Sequence, residues 1–192
     1  MMKFPAFSVK MLDQIISYAI YAAVFLIPVW FLPFTTDAFD FNKQALLVLL
    51  TVVATFAWMA KSFLSGKVAL PINRVAQAVG LFFIAGLLST IFSKNPSGSF
   101  WGWPLLTSES LLTLAALSLL YFVVSNTFTK KEIAHVVFLL TLSATIAQLI
   151  ALVVSLIPQI SFGLVNTIGS FGGIGIFSAV LLPLSIVLLI TS

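Results

Sequence analysis

Charge is what this chain has least of. Only 7% of its 192 residues are Asp, Glu, Lys or Arg, against about 25% in soluble domains. So few charged side chains cannot cover a soluble surface of this length, which excludes a water-soluble globular domain. Cysteine is absent, and with it disulfides, thiolate metal sites and cysteine nucleophiles. The single histidine, His135, cannot build a zinc site alone, since zinc takes three or four ligands. We read it as an interfacial residue. No Walker loop, GxSxG elbow, HExxH pair or Rossmann glycine pattern stands in the right context. No metal and no cofactor is expected. There is also no internal repeat to support an inverted-repeat transporter.

What the chain does have is apolar length. Hydrophobic residues make up 61% of it, and the mean hydropathy is +1.20. Crossing the hydrocarbon core takes roughly 20 mainly apolar residues. Six segments qualify: 15–32, 45–64, 75–92, 110–128, 133–157 and 171–190. Lys61 is the one charge inside them, near an end where it can snorkel. The expected fold is therefore all-α: a polytopic transmembrane helical bundle of about six spans, forming a single domain over residues 1–192. Lys3 and Lys10 precede a first apolar run that is too long for a signal peptide and lacks a small-residue cleavage site. It reads as a retained span.

Breaks between the spans are legible. Pro28 and Pro33 should kink and then end the first helix. Gly66 and Pro71 mark the link between spans two and three. Thr129 and Glu132 form a capping-box pattern before span five, and Pro158 should close that span. Asn95, Pro96, Ser97 and Gly98 read as a turn.

Basic residues set the orientation. With both termini cytoplasmic, Lys3, Lys10, Lys61, Lys67, Arg74, Lys130 and Lys131 lie inside, and Lys43 and Lys94 outside. Asp37, Asp40 and Glu109 then fall outside, and Asp13 and Glu132 inside. The sequence pI near 9.6 is thus topogenic and does not point to nucleic acid. The chain stops at the end of span six, in LLITS, without a basic anchor. This suggests the N-terminal fragment of a longer membrane protein.

The outward segment SKNPSGSFWGWPLLTSESLL, residues 93–112, is the least ordinary part of the chain. Phe100, Trp101 and Trp103 suit the headgroup level, as a plain aromatic belt would. The functional alternative is a shallow lipid- or sugar-facing surface, with Lys94 meeting a phosphate and Glu109 at the mouth of span four. In the first outward loop, Asp40 suits a cap on span two; a catalytic pair with Asp37 is the weaker alternative. Gln148 and Asn126 should bond to neighbouring helices. Gly169 with Gly173, and Gly175 with Ala179, have spacings that favour close helix packing.

Three stretches then carry a resemblance, over residues 33–190. They are PFTTDAFDFNKQALLVLLTVVATFAWMAK, LLSTIFSKNPSGSFWGW with ESLLTLAALSLLYFVV, and NTIGSFGGIGIFSAVLLPLSIVLL. In order and spacing the chain resembles the amino-terminal half of the O-antigen ligase and polymerase superfamily. The resemblance implies a polytopic glycosyltransferase of the bacterial cytoplasmic (inner) membrane. Such an enzyme moves a glycan from a polyprenyl diphosphate carrier to an acceptor on the outer face. A diphosphate leaving group must be held by cations near the outer headgroups, so the implied substrate-binding set is Lys94, Trp101, Trp103 and Glu109, with Lys43. The implied partners are the polyprenyl diphosphate-linked glycan, membrane lipids and the missing C-terminal half of the same chain. The resemblance puts the catalytic histidine and arginines beyond residue 192, so none is expected here and the fragment alone should be inactive. The chain departs from relatives at Thr107, Ser108 and Ser110, which replace all but the glutamate of an Arg-Tyr-Glu-Gly-like run, and at Ser170 and Gly172, where asparagines are usual. Two other functions stay open: a transporter or lipid-flipping subunit without transferase activity, and a non-catalytic membrane scaffold.

Overall fold

In lipid a backbone must satisfy its own N–H and C=O groups, so long apolar runs fold as helices. The computed structural model describes residues 6–30, 40–66, 73–102, 107–156 and 171–191, and all regular structure among them is helical. Seven α-helices follow in order: α1 Ala6–Val29, α2 Asp40–Ser65, α3 Arg74–Ile91, α4 Pro96–Trp101, α5 Leu111–Thr127, α6 Lys130–Leu156 and α7 Phe171–Thr191. A short 3-10 turn, Thr107–Glu109, precedes α5.

Four stretches are long and apolar enough to cross a membrane: Val9–Val29, Asp40–Ser65, Arg74–Ile91 and Lys130–Val153. Helix α5 has 17 residues, about 25 Å against a hydrocarbon core of about 30 Å. Helix α7 has 21 residues, Phe171–Thr191, with Pro183 inside it. Of the six expected spans, four are shown as membrane-length apolar helices among the described residues.

Local chemistry explains the helix ends. Pro28 lies in the last turn of α1, which stops at Val29. Asp40 sits in the first turn of α2, where a carboxylate favours the helix dipole. Glu132 accepts from the backbone N–H and the hydroxyl of Thr129, both at 2.7 Å, and α6 begins at Lys130. The expected turn at 95–98 is instead the start of α4. The Asn95 side chain accepts from Gly98 N–H at 3.1 Å, Pro96 takes the first helical position, and Gly102 closes the helix at φ 74°.

The distribution of side chains is the reverse of a soluble core. Among the described residues, buried apolar positions are mostly alanine: Ala19, Ala23, Ala54, Ala57, Ala76, Ala116, Ala144, Ala147 and Ala151. Phe56, Phe63, Leu81, Phe82 and Phe92 are exposed. Small residues let helices approach where lipid removes the hydrophobic gain of burying large ones.

The chain divides into two compact units, one of residues 1–20 and 44–128, the other of 21–43 and 129–192. In the first, α3 packs on α5, and α4 rests on both. Helices α3 and α5 run antiparallel. Tyr121 O–H donates to Asn73 Oδ1 near one end, and Gly86 meets Leu114 further along. A Cβ on Gly86 would lie 2.5 Å from Leu114 Cδ2, so that contact admits little more than a hydrogen. Near the far end of α2 from Gln44, Lys61 pairs with Asp13 of α1. In the second unit α6 packs on α7. There Ser143 O–H donates to Phe25 O at 2.6 Å, on a face of α6 that also buries Ala147 and Ala151.

Two expectations fail in detail. Asn126 donates to Phe122 O of its own helix at 2.7 Å, not to a neighbour. Gly175 has no close neighbour among the described residues where a Cβ would go. Gly169 lies outside the described residues.

Candidate functional site

One turn into α2, Gln44 extends its side chain into the junction of α4, the 3-10 turn and α5. Its Nε2 lies 2.6 Å from Ser110 Oγ, 3.0 Å from Thr107 O, 3.1 Å from Thr113 Oγ1 and 3.4 Å from Trp101 O. Gln44, Thr107, Ser110 and Thr113 are all buried. The carbonyls of Thr107 and Trp101 can only accept, so the amide must present its nitrogen to them.

The protons of this node can be assigned. Thr113 O–H donates to Thr107 O at 3.0 Å, and Thr113 N–H to Ser110 Oγ at 3.1 Å. The Ser110 hydroxyl then donates to Thr113 Oγ1, 3.1 Å away. One amide proton of Gln44 goes to Ser110 Oγ, and the other is shared between the two carbonyls, Thr107 O and Trp101 O. Apart from the Thr107 hydroxyl, each side-chain donor of these four residues is used, and a buried network of this kind holds its members in one geometry. The Thr107 hydroxyl itself has no partner among the described residues.

Sequence folds the neighbourhood to suit. Gly102 turns the chain out of α4 by a left-handed conformation that other residues rarely adopt. Ser110 caps α5 and serves the node at once. The carbonyls of Trp101 and Thr107 are thus held, while the rings of Phe100 and Trp101 stay exposed. Trp101 is 56% exposed, and its ring meets Phe100 edge-on at 5.1 Å.

Of the expected site residues, the node brings together Trp101, through its carbonyl, and the turn that carries Glu109. Glu109 and Lys94 are both exposed, and neither forms an ion pair among the described residues. Lys43 precedes Gln44 in α2 and belongs to the second unit. Trp103 lies outside the described residues. Sequence reasoning missed Gln44, Thr107, Ser110 and Thr113 as a group. Ser110 and Thr113 carried a signal, since their i, i+3 spacing puts two hydroxyls on one helical face.

The second unit holds another polar feature. Gln148 Nε2 donates to Ser178 Oγ at 2.8 Å, as expected for a helix-to-helix bond. Around it opens a cavity of about 280 Å³, with Thr141, Thr145 and Ser185 also on its wall. The hydroxyls of Thr141, Thr145 and Ser185 donate to Val137 O, Thr141 O and Leu182 O of their own helices. Their lone pairs are therefore what remains for the cavity.

No protein-family model, curated protein or solved structure matches the chain. Helix length, hydropathy and the alanine-rich interior decide its class. The chain is a multi-pass membrane protein. Within that class the node consists of one amide and three hydroxyl side chains, which suit it to positioning neighbouring groups.

Proposed function

We propose that this membrane protein is the membrane part of an O-antigen ligase-like glycosyltransferase of the bacterial inner membrane. In this proposal residues 93–112 form an outer-face surface for a polyprenyl diphosphate-linked glycan. One observation carries it: two stretches that bear the resemblance, FNKQ at the start of α2 and SKNPSGSFWGW ahead of α5, meet at Gln44. The surface suits such a carrier. Lys94 is an exposed cation for a phosphate oxygen, and Trp101 offers an amphipathic ring at headgroup depth.

The test is binding of a polyprenyl diphosphate to the chain in lipid nanodiscs, read by native mass spectrometry. Lys94→Ala and Trp101→Ala should each weaken it about three- to tenfold, as expected for one charge-assisted bond or one ring contact. No binding by the unaltered chain rejects the proposal. In cells, Lys94→Ala in the protein as its gene encodes it should lower glycan transfer in parallel.

The cavity between α6 and α7 favours one rival, a transporter or lipid-flipping subunit, because polar groups inside a span often line a substrate path. Movement of a sugar lipid across vesicles holding only this chain, with no glycan transfer, would establish that rival.

A further inference from the structure

We infer that Gln44 is a positioning residue for this surface. Its carboxamide is a clasp that ties the end of α4 to the 3-10 turn, and so sets where the Trp101 ring and the Glu109 carboxylate meet a polyprenyl diphosphate. The ligand named here rests on the function proposed above; the clasp rests on geometry alone. Trp101 O and Thr107 O flank residues 102–106 in sequence, and both lie within 3.4 Å of one nitrogen. That nitrogen comes from a helix 57 residues before Trp101 and 63 before Thr107. The remaining bonds of the node, from Thr113 to Thr107 and Ser110, are local to the turn and the first turn of α5. They can preserve that turn but do not reach α4. Loss of the Gln44 amide therefore removes the hydrogen-bonded tie between Trp101 and the turn among the described residues, while α4 still packs on α3 and α5.

The absence of cysteine makes a direct test possible. Thr107 is 2% exposed and its hydroxyl has no partner among the described residues, so Thr107→Cys gives up no side-chain hydrogen bond of the node. A single thiol there should react slowly with a water-soluble maleimide while the clasp is closed. Adding Gln44→Leu should speed labelling about tenfold, the effect of losing roughly one well-made buried hydrogen bond. It should also weaken polyprenyl diphosphate binding by a similar factor, with helical content unchanged by circular dichroism. Gln44→Glu supplies a second variant. Its carboxylate has no proton for the two carbonyls, so labelling should be fast at neutral pH. On acidification the protonated acid can donate again. Labelling should then fall back toward that of Thr107→Cys alone at the same pH, which a merely structural role for position 44 does not require.

Equal labelling with and without Gln44→Leu overturns the clasp, as does a Gln44→Glu variant that acid does not slow relative to that control. Faster labelling with unchanged affinity for polyprenyl diphosphate overturns the positioning role. Failure of the unaltered chain to bind that carrier overturns the proposed function and the positioning role together, while the labelling rates still decide whether the clasp exists.

Discussion

The node at Gln44 and the cavity at Gln148 use the same parts, one glutamine amide and a set of serine and threonine hydroxyls. They differ in closure. Gln44 is buried, and its nitrogen meets two main-chain carbonyls and two hydroxyls. Gln148 is half-buried, makes one side-chain bond among the described residues, to Ser178, and borders about 280 Å³ of space. A saturated amide holds segments distant in sequence in one arrangement, whereas an amide with one partner beside a cavity can exchange partners. The lesson is that residue type does not distinguish a fastening from a binding space; the count of fixed acceptors does.

The largest effect that would break this contrast concerns stability. Gln44→Leu should destabilise the chain by about 1–3 kcal/mol in detergent unfolding, because Ser110 Oγ, Thr107 O and Trp101 O all lose the amide as a donor. Gln148→Leu should cost only about 0.6–1 kcal/mol, near the mean for bonds between membrane helices. Equal costs would show that the two amides play the same part. A bulky probe sharpens the second region: Ser143→Leu, on the fully buried face of α6 beside Phe25, should cost about 1–3 kcal/mol by overpacking. The same melting curves check it, with Ser143→Ala as the mild comparison.

A smaller effect is expected at Gly86. An alanine there meets Leu114 Cδ2, the free end of a flexible side chain, so Gly86→Ala should cost about 1 kcal/mol or less if that leucine rotates away. The smallest belongs to the pair of Lys61 and Asp13, both partly exposed. Lys61→Met should cost about 0.2–1 kcal/mol, and the cost should shrink in high salt. Equal melting at low and high salt would mean that the pair contributes nothing measurable.

These sites also mark how far the sequence could be read. The cap at Thr129 and Glu132 was legible because capping joins residues three apart, and so was the end of α1 after Pro28. The six residues of α4 were read only as a turn, although Asn95, Pro96 and Gly102 spell a cap, a first helical position and a stop. The i, i+4 series Ser143, Ala147 and Ala151 was also present in the sequence and marks a buried face of α6. The glycine spacing at Gly175, by contrast, marks no close contact among the described residues. Asn126 turned back to its own helix because a carbonyl four residues earlier lies within reach of any polar side chain there.

By itself the sequence determined that this is a membrane-spanning helical chain, and where most helices begin and end. Hydropathy and capping act over a few residues, so they can be read locally. Only the tertiary structure decided that Gln44, 57 to 69 residues from its partners, fastens the tryptophan-bearing segment. In an apolar sequence many hydroxyls and amides are equivalent until helix packing brings particular ones within hydrogen-bonding distance, and no local pattern records that choice.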